Sequence, residues 1–290
     1  MTPLTLRHDG LSFSALAEGE GPTVLCLHGF PDHARTFRLQ MPVLARAGFR
    51  VVAPTLRGYE PSSQPPDGDY RLLRIAEDVA AWIDELGAGR VHLVGHDWGA
   101  VVGYCVAAFW PERLHSLTTL SIAHPARLLR VVALQLPSQL AKSWYMFFFQ
   151  LRGVAEAAVA RRDGAFIERL WRDWSPGWEL PQDELAAVKE TFARPGVVKA
   201  ALGYYRALFD PTSRDARRVL SRLARPIEVR TLALTGAFDG CMDTRLHDLA
   251  MRDEDFARGL RVVRVEGAGH FLHQEKPDEV NRVLVDWLRA

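Results

Sequence analysis

The stretch VHLVGHDWGAVVGYCVAAF, residues 91–109, constrains the fold more than any other part of the chain. An apolar, β-branched run (Val91, Leu93, Val94) stops at Gly95, and an Ala/Val-rich helical pattern begins after Gly99. Small residues bracket a polar centre of His96, Asp97 and Trp98. This is the layout of a nucleophile elbow, in which a strand turns sharply into a helix and exposes one reactive side chain. Serine is the commoner occupant of that position. Here it is Asp97, with His96 shaping the turn.

The segments around the elbow repeat its grammar. Residues 23–29 and 49–54 read as strands, with a helical pattern across 36–46 between them. Residues 70–87 form a long amphipathic helix that stops at Gly87, and 114–122 is the next strand. Strands recur at 229–236 and 260–267, and a closing helix carries Pro277 near its first turn. Strands alternating with helices predict a mostly parallel, doubly wound α/β sheet. Between about 125 and 222 the strand signal vanishes into helical, aromatic sequence broken by Pro137, Gly153, Pro176, Gly177, Pro181, Pro195 and Gly196. The expected organisation is a core of residues 1–124 and 223–290, with a helical cap (lid) of 125–222 inserted between two strands.

Composition excludes several function classes. Lys and Arg number 36 against 35 Asp and Glu, for a net charge of +1, so neither a nucleic-acid footprint nor a charged membrane patch is expected. Cys26, Cys105 and Cys241 are far apart and have no metal-ligand spacing. Free thiols suit a reducing cytosol, and the first residues lack the layout of a signal peptide. No apolar run is long enough to span a membrane. A soluble cytoplasmic protein is expected, and the sequence leaves open a homo-oligomer.

A nucleophile needs a base, an orienting acid and an oxyanion site. VEGAGHFLHQEKP places His270 just after the last strand, in a Gly-flanked turn. His273 would rival it only if that turn were longer. LALTGAFDGCMD places Asp239 just beyond the preceding strand, with Asp243 as a second candidate four residues later. Asp97, Asp239 and His270 thus all follow the carboxyl ends of predicted parallel strands, where open α/β sheets place their sites. LHGFPD, residues 27–32, follows the first core strand, and the backbone N–H of Phe30 with that of Trp98 is the candidate oxyanion hole.

The carboxylate decides the chemistry. Attack on an acyl ester would give a reactive mixed anhydride, whereas attack on a saturated carbon bearing a leaving group gives a stable alkyl ester. Water activated by His270 then cleaves that ester at its carbonyl. Epoxide opening also generates a basic alkoxide and requires an acid. Tyrosine, with a pKa of about 10, stays protonated at neutral pH and can donate. The cap offers Tyr145 in SWYMFFFQ and Tyr205 in GYYRALF, the latter beside Tyr204. Its aromatics suggest a largely apolar pocket, with Phe30, Trp98, Trp144 and Phe148 as wall residues.

HGFPD, GHDWG, the G-x-x-D of Asp239 and GAGHF together resemble the α/β-hydrolase-fold epoxide hydrolases with a cap. WYMFFFQLRGVAEA (144–157) and GYYRALF (203–209) are similar to that family's two cap-tyrosine segments, so the resemblance spans residues 11–289. Arg152 stands where the family usually has proline after Phe-Gln. The resemblance implies an α/β-hydrolase fold and conversion of an epoxide to a vicinal diol, in epoxide metabolism or detoxification. It assigns Asp97 as nucleophile, His270 as base, Asp239 as acid, and Tyr145 and Tyr205 as the pair polarising the epoxide. The partners are then a small apolar epoxide and water. The sequence has no dinucleotide fingerprint or metal cluster, so no cofactor is expected. A haloalkane dehalogenase would share Asp97 and Trp98, but it usually has Asn at the position of Phe30, and phenylalanine cannot donate from its side chain. A catalytically idle, hydrolase-like binding protein would not need this complete set of groups.

Overall fold

The computed structural model describes residues 1–161, 164–210 and 212–290; Arg162, Asp163 and Pro211 lie outside the described residues. Strands β1 (Thr2–His8), β2 (Leu11–Glu18), β3 (Thr23–Leu27), β4 (Arg50–Pro54), β5 (Val91–His96), β6 (Leu114–Leu120), β7 (Thr231–Gly236) and β8 (Leu260–Val265) form one sheet. Their order is β1-β2-β4-β3-β5-β6-β7-β8. From β4 to β8 all pairings are parallel, while β2 joins β1 and β4 antiparallel. The architecture is an α/β-hydrolase fold.

Burial follows position in the sheet. Every residue of β3, β5 and β7 is buried, as expected for strands covered on both faces. The outermost β8 exposes Arg261 and Arg264, charges that discourage pairing with another strand. The β1–β2 hairpin lies outside the sequence expectation. Its turn is Asp9-Gly10, both at positive φ, a dipeptide that suits a tight two-residue hairpin turn. Leu11, Phe13 and Ala15 alternate inward along β2.

Helices cover both faces. One face carries α1 (Met41–Arg46), whose predicted span begins instead with a short 3-10 turn at Ala34–Phe37. On the other lie α2 (Leu72–Glu85) and α3 (Trp98–Phe109), packed against each other. Between β6 and β7 the chain is helical: α4 (Pro125–Leu134), α5 (Ser138–Lys142), α6 (Trp144–Phe148), α7 (Val154–Val159), α8 (Ala165–Trp174), α9 (Gln182–Ala193), α10 (Val197–Leu208) and α11 (Arg214–Leu223). After β7 come α12 (Arg245–Ala250), α13 (Leu272–Glu275) and α14 (Pro277–Arg289), the last on the α1 face. No helix of the described residues is long and apolar enough to cross a membrane.

The strand order creates the site. After β3 the chain goes to β4 on one side, then crosses back to β5 on the other side of β3. The segments leaving β3 and β5 therefore diverge, and a crevice opens at their carboxyl ends.

Candidate active site

Leu27 on β3 pairs with Gly95 on β5, so two residues further on Gly29 faces Asp97. A Cβ on Gly29 would lie 2.4 Å from the Asp97 Cβ and 2.6 Å from its Oδ1. Gly99 is equally constrained, since a Cβ there would stand 2.0 Å from the Leu27 carbonyl oxygen. These two glycines let the strand ends close around the elbow.

Asp97 sits at the turn between β5 and α3 with φ 50° and ψ −118°. For a residue with a Cβ this backbone conformation costs about 1–3 kcal/mol, held in place by the surrounding sheet. Its Oδ1 accepts from the Phe30 backbone N–H at 2.8 Å. Trp98, the first residue of α3, has a backbone N–H with no acceptor within its own helix. The positive end of α3 also favours an anion at this point. The Phe30 loop is pinned from behind by His28. Leu56 N–H donates to His28 Nε2 at 3.0 Å, so the proton sits on Nδ1, which donates to the Gly29 carbonyl at 3.0 Å. Burial holds this imidazole neutral, with its pKa lowered to about 3.

His270 follows β8 and turns its ring between two carboxylates. Nδ1 donates to Asp239 Oδ2 at 2.9 Å, and Nε2 faces Asp97 Oδ2 at 3.5 Å. Asp239 completes its shell with the backbone N–H groups of Cys241 and Met242, both at 2.8 Å from Oδ1. Asp243 is turned elsewhere, into an ion pair with Arg245 at 2.7 Å. His273 is also turned away, with Nε2 2.7 Å from the Thr36 hydroxyl. The backbone carbonyl of His270 accepts from the Ser121 hydroxyl at 2.6 Å and from His96 Nε2 at 3.0 Å. Glu275 braces the turn by accepting from Gly269 N–H at 2.7 Å and from Ser175 at 2.6 Å.

Electrostatics couples the three groups. Burial alone would lower the His270 pKa, but the Asp239 carboxylate and then Asp97 outweigh it and raise the imidazole above its ordinary value. Burial alone would raise the Asp97 carboxyl, yet the facing His270, with His96 and the Phe30 N–H, holds it below the usual carboxylate range. Both shifts favour an imidazolium facing a carboxylate.

The two tyrosines come from α6 and α10. Both are buried, and their rings meet edge to face with centroids 5.7 Å apart. The Tyr205 hydroxyl makes no full hydrogen bond among the described residues, with the Trp98 side chain acting on it as a weak donor. Tyr145 lies 3.4 Å from the Cys241 thiol. Burial, reinforced by nearby groups that include Asp97, raises both phenols well above their ordinary pKa, so they remain protonated donors. The neighbouring Tyr204 is committed elsewhere, donating to the Arg57 carbonyl at 2.7 Å.

Asp97, Trp98, Tyr145 and Tyr205 share one cavity of about 520 Å³. The expected wall is only partly that of the sequence reading. Phe30 turns its ring away from this cavity into a cluster with Phe149, Phe192 and Tyr205. Trp144 and Phe148 also lie outside the lining, packed with each other and with Phe166, because their short helix turns Tyr145 inward instead. Trp174, whose ring is 5.0 Å from those of both His270 and Tyr145, carried no distinguishing sequence signal, nor did Cys241 or Ser121. Among the described residues, two clusters bring metal-ligating atoms within 4.8 Å of one another: Asp32, His96 and His273, and Asp239, Cys241 and His270. In the second the carboxylate and imidazole are already bonded to each other. In the first Asp32 is engaged by His33 N–H, Thr36 and Gln274.

A strand-to-helix elbow, an acid after β7 and a histidine after β8 on this sheet define an α/β hydrolase. The chain belongs to that family: the model described as alpha/beta hydrolase fold matches residues 22–277, and the protein is an enzyme of the hydrolase class. Among its relatives, the AB hydrolase superfamily protein YfhM of Bacillus subtilis is 28% identical, over 97% of this chain and 96% of its own length. Epoxide hydrolase 3 of Siraitia grosvenorii is 30% identical, covering 98% and 97%. The crystal structure of Epoxide Hydrolase A from Mycobacterium thermoresistibile superposes with a TM-score of 0.82 at 27% identity, covering 100% of this chain and 98% of that one.

Proposed function

We propose that this hydrolase converts an epoxide to a vicinal diol through a covalent ester on Asp97. The observation that carries the reading is one cavity in which the Asp97 carboxylate shares its walls with two buried, protonated tyrosines. The names of the relatives agree with epoxide hydrolysis. Helices α4 to α11 act as the cap that supplies the tyrosines and shields the reacting atoms from water.

Tyr145 and Tyr205 donate to the epoxide oxygen while Asp97 Oδ2 attacks a ring carbon from the opposite face. The carbon–oxygen bond of the ring breaks, and the alkoxide takes a tyrosine proton. The imidazolium proton of His270 is released to restore the phenol. Alkylation also removes the negative charge of Asp97, one of the groups that raises the His270 pKa, so the imidazole becomes a base when a base is needed. His270 then takes a proton from water, and the hydroxide adds to the ester carbonyl. The resulting oxyanion is held by the N–H groups of Phe30 and Trp98. Collapse expels the diol, whose alkoxide takes the proton of the newly formed carboxylic acid. Asp97 carboxylate and His270 imidazolium are thereby regenerated.

A single turnover in ¹⁸O-labelled water tests this. The diol should carry no label, because its new oxygen comes from Asp97, and the label should appear in the Asp97 carboxylate. Label in the first diol overturns the covalent route. The dehalogenase reading lacks the side-chain halide donor usual at the position of Phe30, which offers only a backbone N–H already bonded to Asp97.

A further inference from the structure

Most of the cavity wall beyond Asp97 and Trp98 comes from α4, α6, α10 and α11. Leu128, Val132, Met146 and Val219 line it, and its exposed edge carries Leu129, Leu140, Phe147, Leu208, Phe209 and Leu220. On the other side of the tyrosines aromatic rings pack, and one of them, Phe192, separates them from a second cavity of about 750 Å³ that it also borders. Phe30 packs edge to face against Phe149 at 5.4 Å, Phe192 at 5.6 Å and Tyr205 at 5.3 Å, and Trp174 closes on Tyr145 at 5.0 Å. All four plugging rings are at most 4% exposed, and none lines the Asp97 cavity.

The charge lining the Asp97 cavity is already paired. Arg71 and Asp215 line it as an ion pair, and Arg71 also donates to Asp69 at 2.8 and 2.6 Å. Among the described residues lining the cavity, no cation is left over for an acidic tail.

From these observations we infer the substrate class: a neutral epoxide bearing one long apolar substituent, its chain in the α4/α11 channel and its other ring carbon unsubstituted against the aromatic plug. An internal epoxide with two long substituents would have to drive one of them into the space held by Phe30, Phe149, Phe192 and Trp174. This rests on the epoxide-hydrolase reading above, and it is tested so that the two can fail separately.

The probes are 1,2-epoxydodecane and cis-6,7-epoxydodecane, isomers of equal carbon number, with binding of the corresponding 1,2- and 6,7-dodecanediols followed by calorimetry. The terminal epoxide should have a kcat/KM higher by about tenfold or more, and the 1,2-diol should bind more tightly by a similar factor. Leu128→Trp, which fills the channel, should lower kcat/KM for 1,2-epoxydodecane far more than for 1,2-epoxybutane. Phe149→Ala should narrow the gap between the two isomers. Equal kcat/KM for the isomers, equal diol affinities, or no diol binding would overturn the one-armed assignment. If neither epoxide turns over while the 1,2-diol still binds preferentially, the assigned reaction fails and the shape of the ligand stands. An 11,12-epoxydodecanoate favoured over 1,2-epoxydodecane would overturn the neutral tail.

Discussion

His270 Nε2 faces Asp97 Oδ2 at 3.5 Å, while Nδ1 of the same ring is bonded to Asp239 at 2.9 Å. One imidazole thus stands between the proposed nucleophile and the carboxylate bonded to its Nδ1. The consequences of this pairing can be measured in both steps of the reaction.

On the proposed mechanism, His270→Gln removes the base and leaves the nucleophile. Alkylation should proceed and hydrolysis should stall, so intact-protein mass spectrometry should find the enzyme heavier by one epoxide. Steady-state turnover should fall by about 10²–10⁴. Asp97→Ala should yield neither adduct nor diol.

Alkylation requires ionised Asp97, whose pKa is held below the carboxylate range chiefly by His270 against the opposing effect of burial. In the parent enzyme the alkylation rate should therefore persist into acid before it falls. In His270→Gln burial is less opposed, the Asp97 pKa rises, and the acid limb should move to higher pH. Pre-steady-state rates of adduct formation between pH 4 and 8 check the direction; a limb that stays in place contradicts it.

Tyr145→Phe and Tyr205→Phe each leave one donor on the epoxide oxygen, so each should slow alkylation moderately. The double variant should slow it far more than either single change. Tyr204→Phe removes instead a hydrogen bond to the Arg57 carbonyl. It should cost about 1–3 kcal/mol of stability, read from denaturant unfolding, through a buried carbonyl left unsatisfied.

Arg57 and Asp78 form a buried bidentate ion pair at 2.7 Å, beneath the loop that holds Tyr59. Arg57→Met strands the Asp78 carboxylate, which among the described residues keeps His8 at 2.7 Å. The expected loss is about 3–5 kcal/mol, visible as a lower urea midpoint.

Glu184 on α9 joins the helical insertion to the core, 2.7 Å from His33 Nε2 and 3.2 Å from Arg35 and Arg38. Burial would raise this carboxyl, but His33 and the two guanidinium groups hold it below its ordinary value. A depressed folded-state pKa contributes stability that is present above the unfolded value of about 4.3 and is lost as pH falls through the folded one. Glu184→Gln should accordingly lower the Tm at pH 7, and the difference from the parent should shrink as the pH is taken down below about 4.

Much of the fold was legible because the local patterns agree with the global one. The buried runs of β3, β5 and β7 are continuous apolar stretches, and the glycines around Asp97 mark a turn that tolerates no larger side chain. The β1–β2 hairpin was not read from the sequence, although Asp9-Gly10 and the alternation of Leu11, Phe13 and Ala15 carry its signal. The short α12 and α13 have no such pattern, being only six and four residues long.

The sequence by itself determined the class of chemistry. A carboxylate at an elbow, followed in order by an acid and a histidine at strand ends, can be read without coordinates, because strand order and chain direction bring such loops to one edge of a parallel sheet. The sequence already favoured Asp239, Tyr205 and His270; the tertiary structure adds that Asp239 rather than Asp243 meets the His270 ring, that the Tyr204 hydroxyl is bonded to Arg57, and that His273 turns to Thr36. It alone closed one flank of the pocket with Phe30, Phe149, Phe192 and Trp174 while leaving the α4/α11 channel open. Adjacent residues carry the same sequence signal, but on a turn or helix they point in different directions. Which direction meets a partner depends on elements a hundred or more residues away, as Tyr204 finds Arg57 and Phe30 finds Phe149.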